Sequence, residues 1–241
     1  MSSTNPPPPL GLPRVHLRTT TSTNDRAREL ALAGAPQGTL VTAAAQTAGR
    51  GRGGRSWSAP AGSSLLASLV LRAPPRLLPL IAPLAVADVA GADARIKWPN
   101  DVVLVDGEHL RKLAGILIEG RPQEGWAVLG IGLNVALQLD ELPAELRASA
   151  ATLGRPRSEI EALLSRLLAA LSSRLAEPAA QTLAAWRARD ALRGRRVAWA
   201  AGSGRAESID GDGRLVVARD DGGRATLDAG EVHLAADPAD R

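Results

Sequence analysis

Only two of the 29 basic residues in this 241-residue chain are lysines, Lys97 and Lys112; all the others are arginine. A compact ammonium on a flexible stem differs from a planar guanidinium fork in hydration, reach and hydrogen-bond geometry. Where arginine meets every general need for positive charge, two lysines kept inside distinctive strings are candidates for chemistry. Lys97 opens Lys97-Trp98-Pro99-Asn100-Asp101, where a proline stiffens a turn that presents an amide and a carboxylate at fixed positions. Asp101 suits Mg2+ bound to a nucleotide, or the orientation of a neighbouring donor; taken alone, the string also describes an Asx turn between strands. Lys112 opens Lys112-Leu113-Ala114-Gly115 at the head of an apolar strand. A glycine within such a strand marks close approach of another group to the backbone, and Lys112 is the first candidate for catalysis.

Gly49-Arg50-Gly51-Arg52-Gly53-Gly54-Arg55 places four glycines and three arginines in seven residues. Glycines let backbone N–H groups converge on an anion, and arginine forks add bidentate charge-assisted bonds to phosphate or carboxylate. The string is neither a Walker A loop nor a dinucleotide fingerprint, and a flexible Arg/Gly loop that touches RNA is the alternative. Trp57, two residues on, either covers a ligand or anchors the loop. Gly130-Ile131-Gly132-Leu133-Asn134-Val135 again puts glycines in a strand, and the Asn134 amide suits an adenine edge.

Composition removes several classes. Without cysteine there are no disulfides, thiolate nucleophiles or zinc–thiolate sites, and the three histidines, His16, His109 and His233, lack metal-ligand spacing. Without Phe or Tyr, and with five tryptophans, the usual stacking platform for bases is missing. Formal net charge is +4 with no block of five like charges, so no polybasic tail is present. No 18-residue apolar run and no signal-peptide core occur, which leads to the expectation of a soluble, cytoplasmic protein that engages no membrane.

The elements that must position these residues follow from pattern. Residues 1–13 are Pro-rich and expected to be a disordered lead-in with no packing role. Ser22 or Thr23 caps a helix running to about Ala33, stopped by Gly34 and Pro36. Strands are expected at 40–46, 64–71, 94–97, 102–105, 112–119 and 126–135, with a buried helix over 79–90 and a tight turn at Asp106-Gly107. Ser158-Glu159-Ile160-Glu161 reads as a capping box opening a helix over 160–175, and a further helix covers 179–192. Five short strands at 197–201, 206–209, 214–218, 224–227 and 231–234, joined by Gly/Asp turns, make a small all-β barrel. The expected organisation is a mixed α/β catalytic domain over 14–192, a barrel over 193–236 and a tail over 237–241. The edge near residues 94–105 is a plausible pairing surface for a homodimer.

Ser22-Thr23-Asn24, Gln46 to Arg55 with Trp57, Lys97 to Asp101, Lys112 to Glu119 and Gly130 to Asn134 stand in an order and spacing that together resemble the biotin protein ligases, from about residue 14 to 235. The resemblance implies the fold of the biotin and lipoate ligases with an SH3-like C-terminal barrel. It also implies ATP with Mg2+ and biotin as reactants, and a biotin carboxyl carrier protein as acceptor. By the same resemblance, Ser22, Thr23, Asn24, Gln46 and Gly115 hold biotin, and Arg50, Gly51 and Arg52 close over biotin and the phosphates. Lys112 stands near the reacting carboxylate and α-phosphate. Arg55, Trp57, Asn100, Asp101 and Asn134 lie near the nucleotide, Asp101 also near the metal.

The implied reaction activates biotin as biotinyl-5′-AMP and passes the biotinyl group to a carrier lysine, with Lys112, Arg50 and Arg52 as its catalytic cations. A lipoate or octanoate ligase or transferase of the same fold is the nearest alternative, and a non-catalytic RNA-binding module is the alternative of another class. Two departures stand out. No segment long enough for a DNA-binding helix-turn-helix precedes Arg14, so DNA is not an expected partner. Ala235 stands where many relatives place an arginine close to ATP, which leaves the barrel's part in nucleotide binding open.

Overall fold

The computed structural model describes residues 9–121, 124–228 and 230–235. The expected lead-in over 1–8 and the tail over 237–241 fall outside them. The larger sheet has seven strands: β1 (Arg14–Thr20), β2 (Leu40–Gln46), β3 (Ser64–Arg72), β4 (Ala94–Lys97), β5 (Asp101–Asp106), β6 (His109–Arg121) and β7 (Trp126–Asn134). They lie in the order β1-β2-β3-β7-β6-β5-β4, and only the β1–β2 pair is parallel, with α1 (Thr23–Leu32) as its crossover. Helices α2 (Leu78–Ala90), α3 (Ala144–Arg147), α4 (Ile160–Leu175) and α5 (Ala179–Ala188) complete this part. A second, antiparallel sheet follows, built from β8 (Arg196–Trp199), β9 (Gly202–Ile209), β10 (Leu215–Arg219), β11 (Arg224–Leu227) and β12 (His233–Leu234) in the order β11-β10-β9-β8-β12.

Alternation along the central strands assigns their faces. Leu40, Leu69, Leu71 and Leu129 join the main core with α2 and α4, whereas their neighbours Val41, Val70 and Val128 pack with Ala27 and Ala31 of α1. Burial on both faces is why β3, Ser-Leu-Leu-Ala-Ser-Leu-Val-Leu-Arg, is almost continuously apolar. The barrel is tied to this body through Trp98, whose Nε1 donates to Gly213 O, and Arg187, which donates to Ile209 O.

Four expectations need correction. Residues 9–13 are packed: Leu10 lies against the core, Gly11 N–H donates to Gly38 O at 2.8 Å, and Leu40 N–H donates to Pro13 O. The Ser158 capping box does not form, because 157–159 adopt a 3-10 turn and α4 starts at Ile160 with no side-chain cap. The last helix stops at Ala188, and its expected continuation to 192 runs extended. There Ile96 N–H donates to Arg189 O and Ala191 N–H donates to Ile96 O. Those bonds cover the β4 rim, and β5 is an interior strand, so the 94–105 surface is not an open edge for a second copy.

Candidate active site

The N-terminus of α1, the end of β2, the 49–57 loop and the middles of β6 and β7 converge on one cavity of about 90 Å3. Ser22, Thr23, Asn24, Gln46, Arg50, Gly51, Arg52, Arg55, Trp57, Asn100, Lys112 and Gly115 all line it together with Gly130 and Gly132, so five separate sequence strings meet at one place. Two expected residues do not. Asp101 borders an adjoining cavity of about 280 Å3 that also holds Lys97, Arg52, Arg55 and the barrel's Glu231 and His233. Asn134 reaches neither; its Oδ1 accepts from Ser64 and its Nδ2 donates to Ala151 O, so both ends of its amide are committed to the protein.

One wall is a buried polar corner. Ser22, Thr23 and Asn24 are each no more than 5% exposed. Thr23 N–H donates to Gln46 Oε1 at 2.7 Å, the Ser68 hydroxyl meets Thr23 Oγ1 at 2.8 Å and Asn24 Oδ1 at 2.7 Å, and Asn24 Nδ2 donates to Glu119 at 2.8 Å. Buried polar groups cost free energy unless satisfied, and here Thr23 and Asn24 find their partners within the wall itself. The corner depends on Gly130, where a Cβ would stand 2.0 Å from Asn24 Oδ1.

The other wall is cationic. Lys112 Nζ stands 2.8 Å from Asp101 Oδ1 but outside hydrogen-bond directionality; the contact is an ion pair, and Oδ1 has no hydrogen-bond partner. Arg50 Nη2 is paired with both Asp25 (2.7 Å) and Glu119 (2.8 Å), which offset its charge. Arg52 has no acidic partner among the described residues and borders both cavities, so it brings an uncompensated charge to each. Burial lowers the Lys97 pKa below the ordinary lysine value, with Asp101 acting in the opposite direction.

The Gly/Arg loop closes on itself as a hairpin: Gly51 N–H donates to Arg55 O, Trp57 N–H donates to Gly49 O, and Gly53 and Gly54 turn the chain at positive φ. Arg55 also pairs with Glu231 of the barrel at 2.9 Å. The Trp57 indole rests on the glycine floor, within 2.6 Å of where a Cβ on Gly132 would be and 3.0 Å of one on Gly115. It anchors the loop and fills the slot at once. Lys112 Nζ lies 5.6 Å from its ring centre.

Sequence reasoning missed Ser68, Asp25 and any role for Glu119. Ser68, a fully buried hydroxyl in an otherwise apolar strand, carried a legible signal; Asp25 and Glu119 look like ordinary helix and strand-end charges. No group of three or more His, Cys, Asp or Glu able to hold a metal occurs among the described residues. Mg2+ is commonly held by one or two carboxylates plus substrate phosphates, and Asp101, with Oδ1 lacking a hydrogen bond, fits that donor set.

The sequence profile of the biotin/lipoate A/B protein ligase family matches residues 16–135. The chain is 37% identical over 241 aligned residues to the biotin–acetyl-CoA-carboxylase ligase of Mycobacterium tuberculosis, covering 89% of this chain and 86% of that one. It is 41% identical over 150 residues to the bifunctional ligase/repressor BirA of Bacillus spizizenii, covering 57% of this chain. The chain spans about half (45%) of the length of that relative and of its Bacillus subtilis counterpart. Its fold superposes on the biotin protein ligase of Aquifex aeolicus in complex with biotin and ATP with a TM-score of 0.76 at 26% identity, covering 92% of this chain and 98% of that structure.

Proposed function

Because the chain belongs to the biotin/lipoate A/B protein ligase family, we propose that it joins biotin to a lysine of a biotin carboxyl carrier protein at the expense of ATP. The carrying observation is the meeting of a buried polar corner and a cationic wall in one cavity. The corner of Ser22, Thr23, Asn24 and Gln46 offers donors and acceptors suited to a ureido ring, which a plain acyl chain would leave unpaired. The catalytic unit is assigned to 14–192, the barrel to 193–236, and the cytoplasm is its place of action. No helix among the described residues is long and apolar enough to cross a membrane.

In the first step an oxygen of the biotin carboxylate bonds to the α-phosphorus of ATP and pyrophosphate leaves. In the second, a carrier lysine amine bonds to the biotinyl carbon and AMP leaves. Both partners of the first step are anions, so their approach needs fixed positive charge in a partly dry site. Arg52 supplies it without competition, and Lys112 supplies it when its hold on Asp101 loosens. Arg50 keeps the loop seated. Asp101 would hold Mg2+ brought by the nucleotide, and the ion would add positive charge at the phosphates. Once Trp57 leaves its glycine seat, Gly115 and Gly132 admit the fused rings of biotin, and the loop that carries the indole shields the mixed anhydride from water.

Biotin-dependent pyrophosphate exchange, followed by AMP release with a carrier domain present and absent, tests this. Exchange driven by biotin but not by lipoate is expected. Exchange driven by lipoate alone assigns the chain to the other branch of the family, and no exchange with either acid refutes the enzyme.

A further inference from the structure

Glu119 ends the apolar run that begins after Lys112 and takes no part in either step above. Its carboxylate is about a quarter exposed (27%), and its Oε2 accepts from Asn24 Nδ2 at 2.8 Å and from Arg50 Nη2 at 2.8 Å. The two donors come from different elements, one from α1 and one from the glycine loop. We propose that Glu119 is a positioning residue which, through that one oxygen, fixes the amide orientation of Asn24 and the seat of Arg50 together. The proposal rests on the reading of the cavity given above.

A carboxylate oxygen only accepts, so Asn24 must turn its NH2 group to Glu119 and its Oδ1 away, towards Ser68. Oδ1 also only accepts, so Ser68 gives it its single proton. The 2.8 Å contact between the Ser68 and Thr23 hydroxyls then takes the single Thr23 proton, in preference to the longer 3.1 Å contact from Thr23 Oγ1 to Gln46 Oε1. Gln46 Oε1 keeps the Thr23 N–H as its donor, which leaves the Gln46 NH2 on the side of Gly49, where Nε2 lies 2.7 Å from the position of a Cβ there. The donor and acceptor polarity of Asn24, Ser68 and the Thr23 hydroxyl thus follows from the negative charge of Glu119, while the Thr23 backbone N–H sets Gln46 by itself. Without it the Asn24 NH2 group keeps only its longer bond to Leu117 O at 3.4 Å. On the loop side, Arg50 would be left with Asp25 alone, a carboxylate that Arg28 already shares at 3.1 Å.

The two duties separate in two substitutions. Glu119→Gln keeps a carbonyl oxygen for Asn24 but no charge for Arg50; Glu119→Ala removes both. Biotin affinity by titration calorimetry, KM and kcat of pyrophosphate exchange, and the dissociation rate of the adenylate are measured for each, alone and with Asn24→Ala or Arg50→Ala. Loss of one charge-assisted hydrogen bond corresponds to roughly a tenfold change or more. Glu119→Ala is expected to raise the biotin KM by about that factor, while Glu119→Gln leaves it within about threefold but releases the adenylate faster. Glu119→Ala should add little to Asn24→Ala in biotin affinity and little to Arg50→Ala in adenylate release, whereas a merely structural residue gives additive losses. Should Glu119→Ala fail to fold, the split shown by Glu119→Gln carries the test. Wild-type affinity and adenylate release in both variants, or additivity in both cycles, overturns the proposal. A wild-type chain without biotin-dependent exchange overturns the functional reading and this proposal with it; an active wild type with indifferent Glu119 variants overturns this proposal alone.

Discussion

Replacing Lys112 by alanine should damage the protein in two separable ways. Lys112 Nζ lies 2.8 Å from Asp101 Oδ1, a separation at which unit charges attract by about 6 kcal/mol at an effective dielectric of about 20. Desolvation opposes most of this. Lys112 is a third exposed and Asp101 only 13% exposed, so the net cost of breaking the pair is roughly 1–3 kcal/mol. That cost is set by the stranded carboxylate, since Asp101 Oδ1 has no hydrogen bond to fall back on. At roughly 2–4 °C per kcal/mol for a chain of this size, thermal unfolding should show the loss clearly. Adding Asp101→Asn removes the stranded charge and should recover most of the stability. Biotin-dependent pyrophosphate exchange should not recover: a cation acting on the transition state contributes about 4 kcal/mol, a factor of about 10³, and it stays absent in the double variant. Calorimetric unfolding and exchange rates on the two single variants and the double variant decide the matter. Exchange at the wild-type rate in Lys112→Ala, or its return in the double variant, refutes a chemical role for the lysine.

Further expectations follow from the same geometry. Arg52→Ala should slow adenylation more than Arg50→Ala, because Arg50 is already offset by Asp25 and Glu119; single-turnover rates compare them, and the reverse order counts against Arg52 as the working charge. Gly132→Ala should force the Trp57 indole off its floor at a cost of roughly 1–3 kcal/mol. The shift in tryptophan emission that it causes should vanish in a Trp57→Leu background. Gly130→Ala should abolish biotin binding while ATP still binds, since its Cβ collides with Asn24 Oδ1; calorimetry with each ligand reads this directly. Burial raises the Asp190 pKa to about 6, with backbone N–H groups of Leu192 and Arg193 opposing. The folded state therefore binds the proton more tightly than the unfolded state, and this group's contribution is present below about pH 4 and lost as pH rises through 6. Asp190→Asn, which keeps an oxygen for the Leu192 N–H, should gain up to about 3 kcal/mol at pH 8 and little at pH 4 in denaturant titrations.

Much of this site was legible because each contributing string breaks a local rule: glycines inside β6 and β7, a lysine in an arginine-rich chain, arginines alternating with glycines. Those departures mark close approach and charge, and the cavity contains nearly all of them. The strands of the central sheet were equally plain, since burial on two faces leaves uninterrupted apolar runs. What escaped depends on partners distant in sequence. Arg-Val-His-Leu-Arg-Thr-Thr forms β1 only because β2 lies beside it. Asn134 resembled a ligand-facing amide because nothing in its own string announces Ser64 or Ala151. The arginines of the loop looked interchangeable, and only the fold reveals that Arg50 is spoken for by two carboxylates while Arg52 is not.

The two rims of the large sheet are closed by different means. Backbone from 189–191 bonds over β4, while β1 presents Arg14, His16 and Arg18 on alternate positions of the outermost strand. Unpaired strand rims invite accretion of foreign strands, and charged side chains spaced along them are a standing deterrent. On the function proposed above, a carrier domain that has to meet this molecule and leave again can touch the sheet without being stitched into it.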